Sequence, residues 1–272
     1  MNELDGASVL ITGGTGSFGS TMARRLLECD VGQVRIFSRD EAKQDDLRRS
    51  LNDNRALFYI GDVRDRRSIK DAIGGVDYVF HAAALKQVPS CEFFPTQAVA
   101  TNVMGSSNVI EAGAAAHVKS IVFLSTDKAV YPINAMGMTK ALTEKTAQAF
   151  ARNHPESNTS VSIVRYGNVM MSRGSVIPLF REQIRSGLPL TLTDPDMTRF
   201  LMSLDEAVGL VEYAFTHAES GDLFVRKSPA GRVQDLAMAV CEIEGVTPEI
   251  RVIGTRHGEK LFETLLSREE MV

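Results

Sequence analysis

The stretch Thr12-Gly13-Gly14-Thr15-Gly16-Ser17-Phe18-Gly19 constrains this chain more than any other. Before it, Ser8-Val9-Leu10-Ile11-Thr12 is an apolar run of buried-strand length. After it, Met22, Ala23, Leu26 and Leu27 recur at helical spacing. A strand, a glycine turn and a helix in this order make a phosphate-binding unit. Glycine lets the backbone turn tightly and approach a pyrophosphate, and the helix start offers free N–H groups and a positive dipole end. The glycines fit two spacings, GxGxxG (Gly14, Gly16, Gly19) or GxxGxxG (Gly13, Gly16, Gly19). Thr15, Ser17 and Phe18 lie within the same turn and count with Gly13, Gly16 and Gly19 as cofactor contacts.

The alternation continues along the chain. Residues 34–38, 56–60, 77–82, 120–125 and 161–166 read as strands, and 40–52, 99–117 and 135–152 as helices. This order predicts an α/β fold, a doubly wound parallel Rossmann sheet with helices on both faces. Residues 1–170 would form that dinucleotide-binding domain. After Tyr166 the pattern is broken by Pro178, Pro189, Pro195, Pro229 and Pro248, with helices predicted at 176–185, 204–217 and 233–244. Residues 171–272 are expected to form a small C-terminal substrate-binding lobe over the carboxyl ends of the strands, with part of 201–228 returning to the first domain.

Composition excludes several classes. With 44% hydrophobic and 24% charged residues, the chain is neither disordered nor of low complexity. A net charge of −4 argues against a nucleic-acid partner. No apolar run reaches the 18 or so residues of a membrane span. Met1-Asn2-Glu3-Leu4-Asp5 lacks the basic and apolar regions of a secretory leader, so a cytoplasmic location is expected. Cys29, Cys91 and Cys241 show no CxxC or zinc spacing and read as reduced thiols, with no metal site. A homo-oligomer is expected.

The end of strand two usually selects the dinucleotide. Here it runs into Ser38-Arg39-Asp40, with Lys43 one turn on. Arg39 and Lys43 suit the 2′-phosphate of NADP and Ser38 can donate to it, whereas Asp40 keeps NAD open. Asp62, beside Val63 after strand three, is placed to accept from an adenine amino group, or else to cap a turn. Ala82, Ala83 and Ala84 end strand four with side chains small enough for a cofactor to lie flat. His81 reads as structural. Asn102, Lys140, Tyr166 and Asn168 complete the cofactor set, together with Lys86.

Leu124-Ser125-Thr126-Asp127-Lys128-Ala129 brings a hydroxyl, a carboxylate and an amine to the end of strand five, with Lys140 in the next helix. This arrangement resembles the extended short-chain dehydrogenase/reductase family, in which a Ser/Thr and the Tyr and Lys of YxxxK carry out hydride chemistry on nucleotide sugars. Thr126 matches the hydroxyl position and Lys140 the lysine. The tyrosine position is Met136, and Tyr131, nine residues before Lys140, does not fill it. Ser125-Thr126-Asp127-Lys128, Ala84-Leu85-Lys86, Arg165-Tyr166-Gly167-Asn168-Val169, Ser172-Arg173-Gly174-Ser175-Val176 and Met197-Thr198-Arg199-Phe200 are similar to the inverting UDP-N-acetylglucosamine 4,6-dehydratases. Residues 85–95 and 131–137 are similar to their capsular-polysaccharide branch, which also carries Met at the tyrosine position. The resemblance continues through Thr255-Arg256-His257-Gly258-Glu259-Lys260. Family members usually extend past the position of Val272, so this chain is expected to be either a truncated piece or a shorter variant of them.

The resemblance implies an NADP-dependent inverting 4,6-dehydratase/5-epimerase of capsular or cell-surface polysaccharide synthesis. Its catalytic set is Thr126, Asp127, Lys128, Lys140 and Lys86, with Lys128 as the C5 base and Asp127 as the acid at C6. A thioether carries no proton, so the O4 proton must pass to Asp127, Lys128, Lys86 or a water held by Thr126. Cys91 reads as a small apolar residue. The UDP-sugar would be held by Lys86, Asn168, Arg173, Ser175, Thr191, Arg199, Arg256 and Glu259. Two other readings stand beside this one. A UDP-glucose 4-epimerase shares the first step but needs no C5 base. A catalytically inactive NADP and UDP-sugar binding protein would account for the missing tyrosine.

Overall fold

The computed structural model describes residues 4–272. Met1, Asn2 and Glu3, part of the stretch read for a leader, lie outside the described residues. The first half runs β1 (Ser8–Thr12), α1 (Ser17–Leu27), β2 (Gln33–Ser38), α2 (Glu41–Leu51), β3 (Ala56–Ile60), α3 (Arg66–Ile73) and β4 (Tyr78–His81). Short helices α4 (Val88–Phe93) and α5 (Pro95–Ala98) lead into α6 (Gly105–Ala115), β5 (Ser120–Leu124), α7 (Ala135–Asn153) and β6 (Ser160–Arg165). The second half runs β7 (Asn168–Val169), α8 (Val176–Arg185), β8 (Leu190–Leu192), β9 (Thr198–Met202), α9 (Leu204–His217), β10 (Leu223–Val225), β11 (Ala230–Arg232), α10 (Val233–Glu244) and β12 (Ile250–Val252).

Seven parallel strands form one sheet in the order β10-β6-β5-β4-β1-β2-β3. Strand side chains alternate between faces, so each apolar strand feeds two cores. Val9 and Ile11 pack with Met22 and Leu26 of α1 and Val208 and Val211 of α9. Leu10, between them, packs with Ile69 and Ile73 of α3 and Val109 and Ile110 of α6 on the opposite face. The strand order reverses beside β1, between β4 and β2, and the carboxyl ends part there into a crevice. Beyond β6, α8, α10 and β8 close a smaller core around Phe180, Leu190, Leu192 and Val240.

The structure departs from the sequence reading over 99–117. Val99–Met104 is a π-helical turn rather than the start of one α-helix, and α6 ends at Ala115. Buried Asn102 lies in that turn. Its amide oxygen accepts from the Leu85 N–H (2.7 Å), and its NH2 donates to the Leu85 carbonyl (3.0 Å) and to Thr139 Oγ1 (3.0 Å). These bonds fix the loop after β4, and alanine periodicity carries no signal for them. Half the residues of helix α3 are charged, and it is capped by Asp65, whose carboxylate accepts from the N–H groups of Arg67 and Ser68.

Candidate active site

A cleft of about 650 Å³ runs along the carboxyl ends of β1 to β6. Gly13, Gly16 and Gly19 line it and Gly14 does not, so the second of the two spacings describes the turn. Gly13 has φ +68°, and a Cβ there would meet the Ala83 backbone nitrogen at 2.8 Å. A Cβ on Gly19 would lie 2.6 Å from the Gly14 Cα. Helix α1 starts at Gly16 with no side-chain cap, so its first N–H groups are left for a ligand. Thr15, Ser17 and Phe18 line the same wall, and Phe18 stacks on Tyr166 at 5.7 Å. These residues fit a dinucleotide pyrophosphate.

At one end of the cleft stand Ser38, Arg39, Asp40 and Lys43, with Asp62 and Val63 beside them. Asp40 caps α2 by accepting from the Lys43 N–H, and it pairs with the Lys43 ammonium. Arg39 Nη1 lies 3.6 Å from Asp62 Oδ2. Asp62 also accepts from the Arg64 N–H and guanidinium, so it caps a turn while lining the cleft. Ala82, Ala83 and Ala84 form the next stretch of wall. His81 is buried between Thr12 Oγ1 (2.7 Å) and Ser106 Oγ (3.1 Å). Burial, with the Lys140 charge second, pushes its pKa down to about 3, so the ring is a neutral structural link.

Thr126 and Lys128 line the cleft at the end of β5. Between them Asp127 is fully buried and does not line it. Thr126 Oγ1 donates to Asp127 Oδ1 (2.9 Å), and Lys128 Nζ donates to the same oxygen (3.0 Å). Asp127 Oδ2 has no hydrogen-bond partner among the described residues. Met136 fills the expected tyrosine position, faces the cleft, and packs against Cys91, Ala98, Leu85 and Val88. Cys91 is buried there, away from the cleft. Lys140 is buried, donates to the Leu124 carbonyl (2.7 Å), and is pushed down to about pKa 8 by that burial. Lys86 lines the mouth and donates to the Arg173 carbonyl (3.0 Å).

Asn168, Ser175, Arg256 and Glu259 line the other end. Arg199 lines an adjoining cavity of about 20 Å³, which shares Asn168 and Ser175 with the main cleft and includes Arg232. Three expectations need correction. The Asn102 side chain is spent on Leu85 and Thr139 and does not line the cleft. Thr191 lies on β8, which pairs with β12, and its hydroxyl accepts from Gln183 (2.8 Å) away from the cleft. Arg173 does not itself line the cleft: its N–H donates to Ser17 Oγ (3.0 Å) and its carbonyl accepts from Lys86, while its exposed guanidinium acts through its charge on Asp40 and Lys86, which do line it. The sequence reading missed Thr101, which lines the cleft with a buried, unpartnered hydroxyl. It also missed Glu263, whose carboxylate reaches Lys128.

A doubly wound parallel sheet, a glycine turn at its switch point, and a Thr just after β5 with a Lys on α7 define an extended short-chain dehydrogenase/reductase. Over residues 9–272 the chain matches the family described as Polysaccharide biosynthesis protein, and it belongs to that family. A protein of Rickettsia prowazekii (strain Madrid E) named UDP-glucose 4-epimerase is 58% identical over 268 residues, 97% of this chain and 79% of that protein. Among solved structures, Pen from Bacillus thuringiensis aligns at a TM-score of 0.95 with 39% identity, covering 98% of this chain and 83% of that one. The UDP-glucose 4-epimerase of Thermus thermophilus, solved with NAD, aligns at 0.83 over 97% and 92% of the two chains. At 22% identity that likeness shows the fold alone.

Proposed function

We propose that this chain is a UDP-sugar enzyme that begins by oxidising C4. Its full reaction would be the inverting 4,6-dehydration and 5-epimerisation of UDP-N-acetylglucosamine with NADP, in the making of cell-surface polysaccharide. The observation that carries this reading is the hydrogen-bonded run Thr126–Asp127–Lys128, of which Thr126 and Lys128 line one cleft with the glycine turn. A nicotinamide dinucleotide, which the glycine turn and the uncapped start of α1 fit, supplies the hydride acceptor and donor. Thr126 takes the O4 proton and passes its own to Asp127 Oδ1, which supports proton removal without a tyrosine. With C4 a ketone, Lys128, having first lost its proton to solvent, takes the C5 proton as an uncharged amine. The electron pair left at C5 expels the C6 hydroxyl, which leaves as water with the proton that buried Asp127 hands back through the Thr126 hydroxyl. The hydride held by the dinucleotide would return to C6, solvent would supply a proton to C5 on the face opposite Lys128, and Lys128 would lose its own proton to solvent. NADP is preferred over NAD because Arg39 and Lys43 stand at the Ser38 end of the cleft. Arg256, Glu259, Asn168 and Ser175 hold the UDP end, with Arg199 in the adjoining cavity.

The second reading, UDP-glucose 4-epimerase, is supported by the name of the 58%-identical Rickettsia protein. It uses the Thr126–Asp127 relay and leaves Lys128 without a carbon acid. Both readings are tested by incubating the full chain with UDP-N-acetylglucosamine and with UDP-glucose in deuterated water and following the sugar by NMR. Dehydration gives a 4-keto-6-deoxy sugar with deuterium at C5, and Lys128→Ala slows that product by about 100- to 10,000-fold. Inversion at C4 alone, with C5 and C6 untouched, selects the epimerase.

A further inference from the structure

The geometry points to Glu263 as a positioning residue for Lys128, delivered from the far end of the chain. Its carboxylate is 3% exposed, with Oε1 3.8 Å from Lys128 Nζ and Oε2 3.2 Å from Lys260 Nζ. Lys260 is anchored in turn by donating to the Val130 carbonyl (2.7 Å). Charges therefore alternate along Asp127, Lys128, Glu263 and Lys260. The stretch that carries Glu263 is held without it, since Asn134 Nδ2 donates to the Gly258 carbonyl (2.7 Å) and the Thr198 N–H to the Leu261 carbonyl (3.1 Å). A clamp does not need a buried carboxylate as well.

The inference rests on Lys128 as the C5 base, and the chemistry explains why one carboxylate is too few. When Lys128 takes the C5 proton, Asp127 holds the O4 proton and is neutral. The new ammonium then has no negative charge on its own turn. Glu263 supplies that charge, and Lys260 keeps it from binding Lys128 too firmly to act. The other charged groups lining the cleft are Lys86 and Lys140, both cations, Arg256 with Glu259, and Arg39, Asp40, Lys43 and Asp62 at the Ser38 end.

The test is competitive acylation of the full chain with acetic anhydride between pH 6 and 10, with the Lys128 amine followed by mass spectrometry. Removing the negative charge in Glu263→Gln lets Lys128 shed its proton more easily. Its labelling at fixed pH below the midpoint should rise by at least about five-fold, the bulk-water value for two charges 4 Å apart. Glu263→Asp keeps the charge and stays near the native rate. Lys260→Met removes a neighbouring cation and lowers labelling, a change of opposite sign that loss of structure would not produce. In C5 deuterium exchange, Glu263→Gln should move the acid limb to lower pH with KM unchanged. Native labelling of Lys128 in a folded Glu263→Gln overturns the inference. Should that variant not fold, unchanged labelling in Lys260→Met does so. If the native protein exchanges C5 of no UDP-sugar, the dehydratase reading falls, and the labelling still decides whether Glu263 governs Lys128.

Discussion

Met136 stands where the family's proton-transferring tyrosine belongs, and its neighbours are apolar. A hydroxyl introduced there would need a partner that Cys91, Ala98 and Val88 do not offer. Met136→Ala should therefore lower single-turnover hydride transfer less than about ten-fold, through looser packing alone. A loss within the general-base range of about 100- to 10,000-fold, with binding and folding intact, would make Met136 part of the chemistry. At the opposite end of the cleft, Arg39→Ala should weaken NADP binding by about ten-fold or more and leave NAD nearly unchanged, measured by calorimetry. Equal affinity of the native protein for the two dinucleotides would remove that preference. Residues adjacent in sequence were legible as places on the cleft wall, namely the three glycines of the turn with Thr126 and Lys128, whereas the full burial of Asp127 between them was not. Thr191 was misplaced because its direction is set by the β8–β12 pairing, and Arg173 stands beside the cleft rather than lining it because its loop is held to Ser17; neither leaves a local pattern. Glu263 was illegible for the same reason, its partner Lys128 lying in another part of the chain.

Among the elements, β1 to β6 each carry an apolar run long enough to be read, and α7 to α10 show helical spacing. Strands β7, β8 and β10 to β12 hold two or three residues each, too few for any alternation. One link between elements has a pH signature. Arg165 on β6, 2% exposed, is bonded to both oxygens of Glu144 on α7 and both of Glu270. Glu144 also accepts from Ser125 Oγ, next to Thr126. The Arg165 guanidinium holds the Glu270 carboxyl down at about 2, against an ordinary 4.5. The folded pKa is depressed, so the stability it brings is full above about pH 4.5 and is lost as pH falls toward 2. Glu270 is a third exposed, which keeps the contribution to about 1–3 kcal/mol. Urea unfolding should show Glu270→Gln less stable than the native chain by that amount at pH 6 and equal to it near pH 2. A constant difference across that range would sink the assignment.

At the scale of the whole molecule, two kinds of core coexist. The sheet is packed on both faces, whereas the smaller core around Phe180 rests on α8, α10 and β8. Phe180 is fully buried, so Phe180→Ala should cost about 3–5 kcal/mol. Hydrogen exchange should show the loss concentrated in α8 and α10, with the amides of β1, β4 and β5 nearly as protected as before. Equal loosening of sheet and lobe would mean that the two open as one unit. The outermost strand adds a consequence in time. Strand β10 pairs with β6, and the Ser220 hydroxyl accepts from the Val161 N–H across 59 residues of chain. At roughly 5–20 residues per second, the ribosome makes β6 about 3 to 12 s before its neighbour. Through that interval the edge of β6 is bare, and an unpaired edge is the surface on which nascent chains pair with each other. What holds the newborn protein apart from its copies during those seconds is therefore the speed of translation, together with any chaperone that reaches the strand first.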